Sequence, residues 1–267
     1  MTSPSALPSP TVSDKIPALL FCALLAGLAG CGGGVPILMY HSVAATGDPL
    51  SVTPEQLDAH LAYLESAGFT TVSLSQVLDH EEGKGSLPSH PIVLTFDDGY
   101  EDAYSAALPL LKKRGQTATF FVVSGFMGRD HQHRVVDRAS GKPYLTWDET
   151  RALRDAGMEI GSHTVNHGKL TELHPDAVRI QLEHSKRDLE AKLGQKVSVF
   201  AYPFTAHRFG VRKAVLAAGY RGAVVGARGG LDRYELQRFT VHRFLGVEDL
   251  RAMLTENWAT GFTTGGG

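Results

Sequence analysis

Strand-like and helix-like segments alternate along most of this chain. Apolar, β-branched runs such as 92–96 are typical of buried strands, whereas segments such as 175–193 carry apolar residues at helical spacing. Turn residues separate the two kinds of segment; Gly194, for example, ends the helical segment 175–193. This repetition predicts an α/β fold with a mainly parallel sheet. The predicted strands are 35–40, 70–73, 92–96, 117–123, 158–162, 197–202 and 223–225, and the predicted helices are 54–67, a segment from 75, 101–113, 147–156, 175–193 and 210–218.

Two adjacent carboxylates, Asp97 and Asp98, follow the apolar run 92–96 in the sequence TFDDGY. At the end of a buried strand such a pair is costly unless something compensates its charge. A metal ion does so if one carboxylate coordinates it while the other stays free to act on the metal's water. The alternative is that Asp98 is only the N-cap of a helix that begins near Tyr100.

Two histidines, His163 and His167, follow the predicted strand 158–162 in the same way. Four residues apart, they face one direction if the backbone turns helically, and neutral imidazoles commonly reach one metal in this manner. Two histidines and one carboxylate leave coordination positions open for water and substrate, which is typical of a catalytic site. Taken alone, the histidine pair could instead be an accident of the surface.

The combination of TFDDGY with SHTVNH resembles the polysaccharide deacetylases of carbohydrate esterase family four, also called the NodB homology domain. The resemblance runs from about residue 35 to about residue 257. It implies a distorted, incomplete (β/α) barrel that hydrolyses N-acetyl groups with the help of one divalent ion. Carried over by position, it makes Asp97 the catalytic base and makes Asp98, His163 and His167 the metal ligands. We expect zinc, although the same ligands also suit cobalt, nickel or iron.

The reaction also needs an acid, because an unprotonated amine leaves poorly. His41 ends the apolar run 35–40 as Asp97 ends its own strand, so a barrel would bring the two to one rim. The sequence MYHSV around it resembles a permuted branch of the family, which includes biofilm poly-N-acetylglucosamine deacetylases. His242 in FTVHRF is the alternative acid, near the C-terminus as in many other members. Either histidine could instead be a satisfied polar residue at a strand end.

The segment FAYPF is similar to the third motif of the family, often written Arg-x-Pro-Tyr. The resemblance assigns the oxyanion donor to the backbone N–H of Phe204, with Tyr202 beside it at the substrate. A backbone donor does not depend on side-chain identity, so phenylalanine can stand in for tyrosine. Ala201 replaces the arginine that usually steadies the base, and Arg238 or Arg243 is a candidate to substitute for it.

The family's fourth motif, Asp-Trp, has no clear counterpart in this sequence. The pair Trp147-Asp148 is similar in character, but it could equally be the start of a helix. The segment 125–144 has no periodicity and predicts a long rim loop. His131 and His133 in this loop are expected to be solvated, and the alternative is that they contact a sugar chain.

The first 30 residues predict targeting rather than fold. The apolar stretch 16–29 is too short to span a bilayer comfortably. It ends in Leu-Ala-Gly-Cys, which resembles a bacterial lipobox, so we expect cleavage before Cys31 and a lipid on its thiol. The predicted organisation is a signal peptide over 1–30, a lipidated cysteine and glycine linker over 31–34, a catalytic domain over 35–258 and a flexible tail over 259–267.

The composition narrows the function classes further. A formal charge of -2 without a basic run gives no sign of nucleic-acid binding, and the length suits one large domain, which we expect to be monomeric. We therefore predict a metal-dependent N-deacetylase of a poly-N-acetylglucosamine-like glycan, anchored by lipid at the bacterial cell envelope. The alternatives are a peptidoglycan or chitin-type deacetylase, a non-catalytic metal-dependent glycan-binding lipoprotein, which would not need Asp97, and a surface scaffold without metal.

Overall fold

The computed structural model of the chain describes residues 34–227, 229–230 and 232–259, with residues 256–259 described by their backbone alone. The predicted signal peptide, Cys31 and the tail from 260 onwards lie outside the described residues. Within the described ranges, no helix has the length and apolar character that a membrane crossing requires.

Short strands and longer helices alternate in the described chain, as the sequence predicts. The strands are β1 (Ile37–Tyr40), β2 (Ser42–Val43), β3 (Ser51–Val52), β4 (Thr70–Thr71), β5 (Pro91–Phe96), β6 (Thr119–Val122), β7 (Glu159–Ser162), β8 (Val199–Ala201), β9 (Gly222–Val224) and β10 (Phe239–Thr240). The helices are α1 (Pro54–Ser66), α2 (Leu74–Glu81), α3 (Leu108–Lys113), α4 (Trp147–Asp155), α5 (Pro175–Leu193), α6 (Phe209–Ala217) and α7 (Val247–Ala259).

The main sheet is parallel throughout and curls on itself. Its strand order is β10-β1-β5-β6-β7-β8-β9, with β4 also paired to β5, while β2 and β3 pair separately. The chain between β9 and β10 bridges the two edges, because Leu236 donates to the carbonyl of Ala223 and accepts from the N–H of Val225, both at 3.0 Å. The sheet therefore forms a distorted, incomplete (β/α) barrel, which confirms the predicted fold class.

Both faces of the sheet are buried, and successive residues of a strand alternate between them. The outward residues pack beneath the helices and include Tyr40, Phe96, Phe120 and Phe200. The inward residues fill the barrel and include Ile37, Val93, Phe121, Val199 and Val224. Because the alternation has a period of two, a residue just after a strand also points inward if it lies an even number of positions after an inward residue of that strand. Such residues are His41 after β1, Asp97 after β5 and His163 after β7.

A glycine in β7 leaves the space that the barrel interior needs. A Cβ at Gly161 would lie 2.5 Å from two ring atoms of Phe121, which is fully buried. A larger residue would therefore displace the Phe121 ring from the core.

Several elements differ from the predictions. The expected helix 101–113 opens with a π-helical turn over Ala103–Ala107 before α3 begins. Pro109 has no N–H to donate and its ring would clash with the carbonyl four residues earlier, so a wider turn precedes it. The helix α7 and the short strands β2, β3 and β10 are not among the predicted elements, although Leu250 and Leu254 of α7 have helical spacing and are buried.

Candidate active site

Asp97 and Asp98 separate at a sharp corner after β5. The N–H of Asp97 still extends the sheet, since it donates to the carbonyl of Tyr40 at 3.0 Å. Asp98 then adopts a φ of 73° and Gly99 a φ of 74°, which is a left-handed corner. The two neighbouring carboxylates consequently reach different surroundings. Asp98 contacts two histidines rather than a helix N-terminus, so the capping alternative is wrong.

The Asp98 carboxylate and the two predicted histidines form a compact cluster. Its Oδ1 lies 3.4 Å from Nε2 of His163 and 3.2 Å from Nε2 of His167. One potential ligand atom of each residue lies within 4.8 Å of the others, and the described part of the chain holds no second group of this kind. The hydroxyl of Thr164 accepts from the N–H of His167 at 2.9 Å and holds the turn between the histidines. The histidine pair is therefore not an accident of the surface.

The donor set fits a divalent metal ion. A carboxylate oxygen and two imidazole nitrogens are common zinc ligands and leave further positions open. Nδ1 of His163 lies 2.8 Å from the carbonyl of Ala201, a contact that places the ring proton on Nδ1 and leaves Nε2 free to bind. His163 is buried, whereas the His167 side chain is 25% exposed, so the cluster is accessible from one side.

The charges in the cluster are balanced among its own members. Burial opposes ionisation of Asp98, but hydrogen bonds from His163 and His167 outweigh it and hold the pKa of Asp98 well below its usual range. Burial likewise opposes protonation of His163, but the bond to Asp98 raises the pKa of this histidine. A bound divalent cation would compensate the negative charge of Asp98, and protons on the two imidazoles would no longer be needed for this.

Asp97 lies beside the cluster and is paired with a buried arginine. Nη1 of Arg238 donates to Oδ1 of Asp97 at 2.7 Å, and Nη2 donates to Oδ2 at 2.6 Å. Both side chains are almost fully buried. Burial alone would raise the pKa of Asp97, but the guanidinium outweighs it and lowers this pKa. Of the two arginines that the sequence left open, the structure thus pairs Arg238 with Asp97, while the exposed Arg243 donates to the carbonyl of Gly47.

The two candidate acids have different surroundings. Nδ1 of His41 is buried and has no hydrogen-bond partner among the described residues. Burial lowers the pKa of His41, and the negative charges of Asp97 and Asp98 oppose this shift. His242 is exposed on the turn after β10, where its Nδ1 accepts from the N–H of Phe244 at 3.3 Å.

The FAYPF segment approaches the cluster through Phe204. The Phe204 ring lies 4.6 Å from the His167 ring, centroid to centroid, and is 63% exposed. Tyr202 is buried instead, and its hydroxyl donates to the carbonyl of Tyr234 at 2.9 Å. The predicted placement of Tyr202 at the substrate is therefore wrong for its side chain, because the inward-outward alternation of β8 directs this ring into the helix-covered core.

Left-handed backbone conformations are concentrated in this region. Among the described non-glycine residues, the positive φ angles belong to Asp98, Thr164, His167, Phe204 and Thr205. Such conformations cost about 1 to 3 kcal/mol each and persist where the surroundings enforce them. All of these residues lie in the loops that form the candidate site. The strained conformations therefore orient the side chains and backbone groups of this site.

The Trp147-Asp148 pair forms the start of α4, which was the alternative to a counterpart of the family's fourth motif. Thr146 caps this helix, and Glu149 completes a capping box by accepting from the N–H of Thr146 at 2.8 Å. Asp148 is exposed in the first turn, where a carboxylate favours the helix dipole. The pair thus has a local structural role.

The segment 125–144 is a rim loop of turns and isolated bridges, as predicted. Arg134 fastens it to α4, since its two Nη atoms donate to the buried Glu149 carboxylate at 2.9 and 2.7 Å. His131 and His133 are exposed in this loop, and Nδ1 of His133 lies 2.7 Å from the Asp130 carboxylate.

Comparisons with known proteins agree with this geometry. A family model described as polysaccharide deacetylase matches residues 84–223. "Putative polysaccharide deacetylase YxkH" of Bacillus subtilis (strain 168) is 30% identical over 213 residues, which cover 78% of this chain and 70% of that protein. The poly-beta-1,6-N-acetyl-D-glucosamine N-deacetylase of Escherichia coli (strain K12) is 31% identical over 140 residues, but the match spans only 21% of its length.

Solved structures share the fold. The Streptococcus pyogenes deacetylase PplD, in complex with acetate, is 25% identical with a TM-score of 0.71, and the match covers 82% of this chain and 96% of that one. IcaB from Ammonifex degensii has a TM-score of 0.70 at 24% identity, with coverage of 83% and 97%. The similarity to IcaB is evidence for the fold alone.

Proposed function

This chain belongs to the polysaccharide deacetylase family, and we propose that it removes acetyl groups from a poly-N-acetylglucosamine-like glycan with the help of one divalent ion, for which zinc is the best candidate. As a family member it is a hydrolase that acts on carbon–nitrogen bonds other than peptide bonds. The observation that carries the proposal is the cluster of Asp98, His163 and His167 beside the paired carboxylate of Asp97.

In this proposal Asp98, His163 and His167 hold the ion. When bound, a divalent ion supplies a water of lowered pKa and polarises a carbonyl oxygen. The carboxylate contributes charge compensation, and the two imidazoles leave positions free for water and substrate.

The other residues move protons and stabilise charge. Asp97 is ionised and accepts the proton of the water whose oxygen attacks the acetyl carbon. The backbone N–H of Phe204 donates to the carbonyl oxygen while negative charge develops on it. His41 gives a proton to the nitrogen as the carbon–nitrogen bond breaks, so that acetate and a free amine leave.

The nature of the glycan is inferred from relatives. Proteins named poly-beta-1,6-N-acetyl-D-glucosamine N-deacetylase from Escherichia coli and Staphylococcus aureus are 31% identical over 140 residues and 26% identical over 163 residues. The resemblance of MYHSV to the branch that carries its acid near the N-terminus points the same way. The substrate we propose is therefore a glycan of N-acetylated glucosamine units.

We further propose that the enzyme is a monomeric lipoprotein of the bacterial cell envelope. The support lies in the sequence, where the apolar stretch 16–29 precedes Cys31 in a lipobox-like context. A lipid at that position would keep the catalytic domain near polymers of the envelope.

Acetate release from a panel of N-acetylated glycans, with and without a chelator, tests the proposal. We expect release from poly-N-acetylglucosamine, loss with chelator and recovery with added zinc. Asp97→Asn should keep its metal and lose turnover by about a hundredfold to ten-thousandfold, because it cannot accept the proton. Asp98→Asn should lose both, since an amide is a poor substitute for a carboxylate ligand. Release that is indifferent to chelator, or confined to chitin or peptidoglycan, would contradict the metal or the substrate respectively.

A further inference from the structure

A tight turn after β10 presents a phenylalanine at the mouth of the barrel. The parallel strands β1 and β10 pair Met39 with Thr240, so both strands end at the same edge of the sheet. His242 therefore follows β10 at the position that His41 holds after β1, and neighbouring strands lie about 4.8 Å apart. The turn 242–245 thus borders the mouth on the side of the proposed acid.

The backbone of this turn is held by hydrogen bonds to its neighbours. The N–H of Arg243 donates to the carbonyl of Pro49 at 2.9 Å, in the loop that precedes β3. Two side chains of α1 bind the turn from the other side. Nε2 of Gln56 donates to the carbonyl of Arg243 at 2.8 Å, and Nε2 of the buried His60 lies 3.0 Å from the carbonyl of Leu245. The turn therefore has a fixed position relative to the mouth.

Phe244 is the apolar side chain that this turn places in solvent. Its ring is 72% exposed, more than any other large apolar side chain of the described residues. The guanidinium of Arg243 stands over the ring, 4.9 Å from its centroid, and Nη1 of this arginine donates to the carbonyl of Gly47 at 2.7 Å. One face of the ring is therefore covered by a cation that is itself held in place, and the opposite face is open.

We propose that Phe244 is a substrate-binding residue, which stacks on a sugar unit of the glycan beyond the unit that loses its acetyl group. The inference rests on the proposed function, in which the substrate is a chain of N-acetylated glucosamine units. A pyranose ring has an apolar face of C–H groups, and a flat, exposed aromatic ring matches that face. Phe204 lies beside His167 on the metal side of the mouth, whereas Phe244 lies on the side of the acid. The site should therefore favour a chain that extends past the reacting unit.

The surroundings of Phe244 favour a sugar over a lipid bilayer as the occupant. Binding to a bilayer requires a broad apolar face, but this turn exposes His242 and Arg243 beside a single ring. An aromatic surface with a few polar groups at its edge is typical of a site for a polar ligand. The hydroxyl and amide groups of a sugar can bond to such groups while its C–H face covers the ring.

A competing interpretation is that Phe244 is an exposed apolar residue without a role, as single residues of this kind often are. The two interpretations differ in the binding of long substrates. The decisive readouts are therefore kcat and KM for acetate release from a β-1,6-linked N-acetylglucosamine hexasaccharide by the zinc-loaded enzyme. The Kd of the same hexasaccharide, measured in an Asp97→Asn background, reports binding without turnover.

Phe244→Ala should raise the KM for the hexasaccharide about threefold to tenfold, which is the size of one aromatic stacking contact. The kcat should change little, because the contact is the same in the ground state and the transition state. In the Asp97→Asn background, Phe244→Ala should raise the Kd by the same factor. Since the side chain is exposed, the melting temperature should stay close to that of the wild type.

Three further variants separate stacking from other effects. Phe244→Trp keeps a flat ring and should keep the KM of the wild type, whereas Phe244→Leu is apolar without such a ring and should behave like Phe244→Ala. Leu216→Ala is the matched control, because Leu216 is 55% exposed near the end of α6 that leads into β9, away from the mouth. It should change neither KM nor Kd.

Two results would overturn the inference while the proposed function stands. One is an active, folded Phe244→Ala with the KM and Kd of the wild type; if this variant also binds vesicles of phosphatidylglycerol more weakly than the wild type, the ring belongs to a bilayer contact instead. The other is a Phe244→Leu that binds the hexasaccharide as tightly as the wild type, which would exclude stacking. Absence of acetate release from the wild-type chain would overturn the proposed function, and this inference with it.

Discussion

Replacing His41 with alanine should separate the acid from the rest of the site. Loss of a general acid lowers the rate about a hundredfold to ten-thousandfold, which corresponds to about 2.7 to 5.4 kcal/mol of transition-state stabilisation. The effect on folding should be small in comparison, since Nδ1 of His41 has no hydrogen-bond partner among the described residues to lose. We therefore expect a folded variant that keeps its metal and loses turnover.

His242→Ala is the matched control for this experiment. His242 is exposed and accepts one hydrogen bond, from the N–H of Phe244 at 3.3 Å, so its removal should change stability by no more than about 0.5 kcal/mol. Acetate release and metal content are measured for both variants. If His242→Ala is inactive while His41→Ala retains turnover, the acid comes from the C-terminal end of the chain and the reasoning about His41 is refuted.

Four further predictions follow from the same structure. His163→Ala should lose most of about one bound ion per chain, and full occupancy by elemental analysis would remove His163 from the metal site. Cys31→Ser should abolish partition into detergent, whereas an unchanged partition would mean that lipid at Cys31 is not the anchor. Phe204→Ala should keep most of kcat, because the proposed oxyanion donor is a backbone N–H; a loss like that of His41→Ala would show that the ring itself is required. Burial opposes ionisation of Glu149, but the hydrogen bond from Arg134 outweighs it and lowers the pKa of this carboxylate in the folded protein. The ionised Glu149 therefore stabilises the fold fully at pH values above its unfolded pKa of about 4.3. This stabilisation is lost as the pH falls through the lower, folded pKa. Glu149→Gln should therefore flatten the loss of stability in this acid range, as followed by denaturant unfolding at several pH values.

Local sequence patterns were sufficient for the architecture. Alternating apolar segments predicted a parallel sheet, because each helix returns the chain to the same end of the next strand. For the same reason, polar residues that follow strands collect at one edge. This ground placed the Asp97–Asp98 pair and the two histidines at one edge, and the family resemblance selected Asp98 as the ligand. The structure brings Asp98, His163 and His167 together.

Local sequence patterns did not predict the short elements and side-chain orientations that depend on neighbouring parts of the fold. Residues 101–113 were predicted as one continuous helix, although Pro109 interrupts the regular hydrogen bonding and a π-helical turn precedes α3. The two-residue β10 has no pattern of its own and exists because β1 offers it a free edge. Tyr202 belonged to a motif, yet its orientation depends on the register of β8 in the sheet.

The sequence by itself determined which residue types meet at the mouth of the barrel, since strand ends and their spacing are encoded over a few neighbouring positions. The tertiary structure alone decided which arginine pairs with the predicted base. Asp97 and Arg238 are 141 residues apart in the chain, and Arg243 fitted the same expectation from the sequence. The choice depends on closure of the barrel, which carries Arg238 into a buried interior where an unpaired carboxylate would be unstable and leaves Arg243 in solvent.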